Sequence, residues 1–275
     1  MTEFLNVDGG QLAYDVAGQG PLVVLSHGMG DNRSAFQELA DLLVAAGYRV
    51  ANLDQRGHGE SSLGWSSYTR TDSAADLLAL VRHLGGPAVL IGHSFAGGAV
   101  AIAAARAPEL VTAIVQVSPF TRAQKMDVGA LFSNGRYRKG MLRLMGAGML
   151  RSLGLWKSYL DHAYPGAKPA GHAAHIAAVE ADLSRPGRMA VVSKMGMSAP
   201  TDAGAVLAGL TRPALVIEGS LDPDWADPKA EGEGIVSEMP AGLGRVVMIE
   251  GAGHYPHAQF PGQVADAVLA FLKES

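Results

Sequence analysis

The chain of 275 residues contains no cysteine, which excludes a disulfide framework, a thiolate metal site and a cysteine nucleophile. Charge is sparse as well. Asp, Glu, Lys and Arg make up 17 % and the formal net charge is −4, so no nucleic-acid partner is expected. A continuous apolar run is also missing: the most apolar stretch, Ala99 to Val117, is broken by Arg106, Pro108 and Glu109, whereas a membrane span needs roughly 20 apolar residues. Met1 to Gly10 carries Glu3 and Asp8 and has neither a basic segment nor a long apolar one. No secretory signal is read there, and the expected location is cytoplasmic. Neither a P-loop pattern nor a strand-linked G-x-G-x-x-G occurs, so nucleotide binding through such loops has no support.

Glycine, by contrast, is abundant at 35 residues, nearly double the usual share of about 7 %, which implies tight turns and close backbone approaches. Between the glycines runs a rhythm of strands and helices. Gln11 to Val16, Leu22 to Ser26, Tyr48 to Leu53, Ala88 to Ile91, Thr112 to Val117, Ala214 to Glu218 and Arg245 to Ile249 read as strands. Helices are expected over Ser34 to Ala46 (Ser34 as cap, Gly47 as terminator), Asp72 to Leu84, Phe95 to Ala107, Thr201 to Leu210, near Asp227 to Met239, and over Pro261 to Leu272. Such alternation predicts right-handed crossovers. The expected fold is α/β, a mostly parallel twisted sheet of about eight strands flanked by helices.

The rhythm stops at residue 120 and resumes at 201. Residues 121–200 therefore read as a helical cap inserted into a core formed by 1–120 and 201–275. The insert holds seven of the eleven methionines, twelve of the 22 basic residues and four of the 26 acids. Its net charge is about +8 against about −12 for the rest, and that attraction is expected to help hold the cap closed. The positive charge suits either a solvated face pairing with the body or an anion-binding surface. The methionines suit either helix packing or an adaptable apolar pocket.

The sharpest signal is Gly92-His93-Ser94-Phe95-Ala96, placed between an apolar strand and an Ala-rich helix. That context makes a G-x-S-x-G pattern a nucleophile elbow, a strained turn that exposes a serine Oγ at the carboxyl end of a sheet. Ala96 departs from the pattern by one methyl. A serine hydroxyl is a weak nucleophile and needs a histidine base oriented by a carboxylate, in the chain order Ser, Asp/Glu, His. Asp222, just past the strand ending at Glu218, and His254, on a Gly-rich loop past the next strand, fill those places. Asp224 and Asp227 compete with Asp222 and suit capping or turn roles. His257 reads as a packing or surface residue, and Glu218 as pointing into the fold. His172 and His175 lack an acidic partner in register for zinc.

Five blocks together carry a family resemblance: Ser26-His27-Gly28-Met29-Gly30, Asp54-Gln55-Arg56-Gly57-His58-Gly59-Glu60-Ser61, Gly92-His93-Ser94, Gly219 to Asp222, and Gly253-His254. In this order they resemble the α/β-hydrolase superfamily over essentially the whole chain, in its serine-nucleophile, cap-bearing branch of esterases, lipases and perhydrolases. The resemblance implies an oxyanion hole built from the backbone N–H groups of Met29 and Phe95, with His27, Gly28 and His93 as supporting residues and Arg56 and His58 in a structural loop. It implies no cofactor and no metal. The expected reaction is cleavage of a carboxylic ester, thioester or lactone with an apolar group, through Ser94, His254 and Asp222 and an acyl-enzyme. The same triad also serves perhydrolase and carbon–carbon bond hydrolase chemistry, and a slow-turnover ligand receptor on this scaffold is the reading from another class. Serine in the elbow argues against the epoxide hydrolases and haloalkane dehalogenases, which use aspartate there. The expected partner is a small molecule of apolar character; the oligomeric state is not legible.

Overall fold

The computed structural model describes residues 1–123 and 126–274; Lys125, counted in the charge of the insert, lies outside them. The chain begins with two strands, β1 (Thr2–Val7) and β2 (Gly10–Ala17), followed by β3 (Leu22–Ser26). A 3₁₀ turn over Arg33–Phe36 leads into α1 (Gln37–Ala45), then come β4 (Arg49–Leu53), α2 (Arg70–His83), β5 (Ala88–His93), α3 (Phe95–Arg106) and β6 (Val111–Val117). Five helices follow without a strand: α4 (Val128–Ser133), α5 (Gly135–Leu150), α6 (Leu153–Ala163), α7 (His172–Leu183) and α8 (Arg188–Gly196). The short α9 (Thr201–Gly204) leads back to β7 (Ala214–Gly219), α10 (Pro228–Ser237), β8 (Gly244–Ile249), a turn of helix α11 (Pro256–Gln259) and α12 (Pro261–Glu274).

The eight strands form one sheet in the order β1-β2-β4-β3-β5-β6-β7-β8. The β1–β2 and β2–β4 pairs are antiparallel and all later pairs parallel. The central strands are apolar on both faces because both faces are covered. Val23, Leu25, Val89 and Ile91 pack with Leu39 and Leu43 of α1 and Val268 of α12 on one side; Val24 and Leu90 pack with residues of α2 and α3 on the other. A third cluster, around Trp156, Tyr159, Leu160 and Val192, is built mainly by α5 to α8, with Tyr255 joining it. Strand order reverses between β3 and β5, and ligands of open α/β sheets bind at such a switch point, outside the carboxyl ends of the strands.

Three local expectations change. β1 is a strand that the sequence reading did not include. Asn32, rather than Ser34, caps the first helical turn, its side chain accepting from the Ser34 N–H. The helix expected over 201–210 is the single turn α9 and a 3₁₀ turn at Leu207–Gly209.

Candidate active site

The loop after β5 turns into α3 at Ser94, whose φ of 53° and ψ of −115° place a non-glycine residue in a strained region, at a cost of order 1–3 kcal/mol. The surroundings impose that conformation: Ser94 N–H donates to Val117 O at 2.9 Å, and Ser94 O accepts from the N–H groups of Gly97 and Phe120 at 3.0 Å. Gly92 permits the tight turn, because a Cβ there would stand 2.3 Å from Ala96 O. Ala96 itself is fully buried and accommodated, so its extra methyl does not open the turn.

Ser94 and His254 line one cavity of about 290 Å³, with Met29, Phe95, Trp156 and Tyr159 among its walls. His254 stands past β8 on a loop held by two main-chain bonds: its N–H donates to Ala163 O at 2.9 Å, and its carbonyl meets His93 Nε2 at 2.8 Å. Gly253 lets the end of α6 come this close, since a Cβ there would lie 2.1 Å from Ala163 O. Among the described residues no hydrogen bond joins Ser94 Oγ to His254. Such bonds are often long before substrate binds.

Two carboxylates face the imidazole. Asp222 Oδ2 lies 2.8 Å from His254 Nδ1 and Asp224 Oδ2 lies 3.3 Å from it. Asp224 is held in turn by the Tyr159 hydroxyl at 2.7 Å, and its N–H donates to Asp222 Oδ1 at 2.9 Å. Burial opposes a charged imidazole, but the two carboxylates outweigh it and hold His254 up at about 9. Burial likewise pushes Asp224 up to about 6, against the pull of His254. These three side chains are the group among the described residues whose donor atoms converge closely enough to ligate a cation; here they contact one another and the Tyr159 hydroxyl. Asp227 instead caps α10, accepting from Ala230 N–H at 3.1 Å.

The loop after β3 and the start of α3 each bring a residue with an unpaired N–H group to the wall of the cavity. Met29 N–H makes no hydrogen bond among the described residues, and Phe95 opens α3, so its N–H has no intrahelical partner. Histidines hold this loop. His27 Nδ1 meets Gly28 O at 2.7 Å while its Nε2 accepts from Gln55 N–H at 3.0 Å. His58 Nε2 accepts from Gly30 N–H at 3.0 Å, a role that requires a neutral ring, and burial together with the neighbouring His27 lowers His58 to about 3. From the other side, Trp156 of α6 donates Nε1–H to Gly30 O at 3.1 Å.

His257 is fully buried and stacked on Phe36 with ring centroids 4.3 Å apart; it packs and does not face solvent. Glu218 is buried as expected, its two carboxylate oxygens without a hydrogen-bond partner among the described residues, and burial beside Asp222 raises it well above the usual carboxylate range. Sequence reasoning did not single out Tyr159, Trp156 or Arg70. The one legible signal for Tyr159 and Trp156 is the burial expected of large aromatics, which singles out no role, and Arg70 carries none.

Residues 121–200, which hold α4 to α8, meet the strand-bearing part less through its carboxylates than through its carbonyls. Arg188 donates to Gly59 O and Ser61 O at 3.1 and 3.2 Å, and Arg136 to Ser220 O at 3.3 Å. Among the described residues the direct ion pairs between the two are Arg122 with Glu231 and Glu238, and His175 Nε2 with Asp31 at 3.0 Å. No helix among the described residues is long and apolar enough to cross a membrane.

Comparison with known proteins agrees with this architecture. The chain is 27 % identical to a 2-(acetamidomethylene)succinate hydrolase of Mesorhizobium japonicum, over 97 % of this chain and 94 % of that protein, and 29 % identical to epoxide hydrolase A of Mycobacterium tuberculosis, over 92 % and 90 %. Its fold superposes on an esterase of Exiguobacterium antarcticum with a TM-score of 0.81 at 20 % identity, covering 99 % and 100 % of the two chains. A thermophilic esterase of Thermogutta terrifontis gives a TM-score of 0.75 at 24 % identity, over 100 % and 98 %. The sequence profile of the Alpha/beta hydrolase family matches residues 23–267, and the chain belongs to that family of enzymes.

Proposed function

We propose that the protein is a serine hydrolase that cleaves a carboxylic ester, thioester or lactone with an apolar group, and that residues 121–200 form a cap over its site. The observation that carries this reading is the strained Ser94 sharing a cavity with His254, whose Nδ1 meets Asp222 at 2.8 Å and whose Nε2 is thereby left for the serine proton. Ser94 Oγ attacks the carbonyl carbon while His254 takes its proton; Asp222 fixes the tautomer and stabilises the imidazolium. The N–H groups of Met29 and Phe95 receive the oxyanion, and one such donor is worth roughly 2.7–4 kcal/mol. His254 returns the proton to the leaving oxygen or sulfur, and water activated by the same ring then hydrolyses the acyl-enzyme. Asp224, pinned by Tyr159, adds negative charge beside the imidazolium without occupying the orienting position.

A fluorophosphonate probe is expected to label Ser94, and Ser94→Ala to abolish both labelling and turnover across a panel of short-chain esters. Unchanged ester turnover in that variant overturns the reading.

A further inference from the structure

Arg70 is the first residue of α2, after the Thr69 cap, where a cation opposes the helix dipole. It is 4 % exposed and lines the cavity that holds Ser94 and His254. Its guanidinium lies over the Phe95 ring, 4.2 Å from the centroid, on the residue that follows the proposed nucleophile. Nε donates to Phe120 O at 3.0 Å and Nη1 to Ser198 O at 2.7 Å, which ties together the two ends of the inserted segment. Nη2 makes no hydrogen bond among the described residues. Gly98 of α3 leaves room for the side chain, since a Cβ there would stand 2.6 Å from Arg70 Cδ.

Other arginines with buried guanidiniums have counter-ions. Arg56 grips Asp76 with two bonds of 2.7 and 2.8 Å, and Arg188 has Asp182 at 3.6 Å. Arg70 has no carboxylate within ion-pair distance among the described residues. The charge that acts on it, Asp202, is itself bonded by Thr71 at 3.0 Å. Burial lowers Arg70 only to about 10, so it stays charged at neutral pH. A buried cation without a partner is expensive, and a side chain that breaks the dipole rule, lacks a counter-ion and faces a reaction cavity has the properties of a ligand site.

We infer that Arg70 binds a carboxylate of the substrate through Nη2, so that the favoured substrates are esters bearing a free carboxylate, such as half-esters of dicarboxylic acids. This rests on the hydrolase reading for the position of the ester but not for the anion site itself. The cavity of about 290 Å³ limits such a substrate to a small one, and the apolar part of its walls, including Met29, Phe120, Leu144 and Met195, suits the chain between the two groups, while Asp224 lines the cavity beside His254.

The test titrates Ser94→Ala protein with monoethyl adipate and with its isosteric neutral amide, ethyl 6-amino-6-oxohexanoate. The half-ester is expected to bind at least about tenfold tighter at pH 7, the free-energy scale of one charge-assisted hydrogen bond. Adding Arg70→Gln removes that preference and leaves the amide affinity unchanged, while Arg70→Lys retains part of it. Equal weakening of both ligands by Arg70→Gln overturns the inference and leaves Arg70 a staple of the inserted segment. Should that variant not fold, the preference is read in Ser94→Ala/His254→Gln, which lacks the other basic side chain of the cavity: persistence supports the anion site and loss overturns it. Fluorophosphonate labelling of the unsubstituted protein separates the two failures. Labelling without a charge preference sinks this inference alone, and a preference without labelling sinks the hydrolase reading alone.

Discussion

On the sheet side of the cavity Ser94 and His254 sit on loops fixed by hydrogen bonds to their own backbone and by glycines that admit no side chain, and the backbone of the Met29 loop is gripped by the buried rings of His27 and His58. On the helical side, Trp156 and Tyr159 are fixed by one another's packing and each reaches across with one polar atom, to Gly30 O and to Asp224. Backbone restraint holds the reacting atoms within narrow limits, as chemistry that depends on alignment requires. Side-chain packing holds the opposite wall more loosely: Met149 and Met197 at the cavity are 73 % and 69 % exposed, unbranched and adaptable. One side is built for invariance and the other for accommodation.

Substitutions on each side put this contrast at risk. The largest effect is expected from Asp222→Asn on the sheet side, a drop in kcat of about 10⁴-fold for ester hydrolysis with little change in fold, because the wrong imidazole tautomer is favoured; a loss below tenfold would move the orienting role to Asp224. On the helical side, Trp156→Ala is expected to destabilise by about 3–5 kcal/mol in urea unfolding. Trp156→Phe keeps most of the packing but removes the bond to Gly30 O; it should lower kcat/KM by about fivefold, the scale of one hydrogen bond of about 1 kcal/mol. If it leaves kcat/KM unchanged, the two sides act independently.

Asp224→Asn is a smaller perturbation. With His254 held at about 9, its neutral, proton-accepting form grows as pH rises, so kcat/KM should climb through that value. Removing the carboxylate 3.3 Å away takes away part of what raises the imidazole, and the climb should move to lower pH; a profile that stays in place contradicts the assigned electrostatics. The smallest effect is expected at the His175–Asp31 pair. Burial disfavours both charges, but Asp31 raises the His175 imidazole and His175 lowers Asp31. The stabilisation is therefore present between the depressed value of the acid and the raised value of the base, and is lost as pH rises through the latter. His175→Gln should cost about 1 kcal/mol at pH 6 and less at pH 9, read as a difference in Tm.

Much of the sheet side was legible because its constraints are local. A buried strand running to His93 and an Ala-rich helix starting at Phe95 leave little but a tight turn between them, and Ser94, Asp222 and His254 follow in chain order the carboxyl ends of β5, β7 and β8. β1 escaped because it is an edge strand with half its residues exposed, so no clean apolar pattern marks it. The helical side was legible only in composition. Its charge asymmetry suggested direct attraction to the acidic body, whereas Arg136 and Arg188 chiefly donate to carbonyls, which no sequence count records. Arg70 was invisible for a related reason: its surroundings come from α2, α3 and both ends of the insert, four stretches that meet only in the folded chain.

The double hold on Gly30, by His58 from beneath and Trp156 from above, bears on how such enzymes diversify. A helical insert that touched only substrate could be exchanged between relatives as a unit, carrying its specificity with it. Here the insert also completes the support of the loop that carries Met29, so a transplanted segment lacking an indole at that place would arrive with a new pocket and a loosened scaffold together.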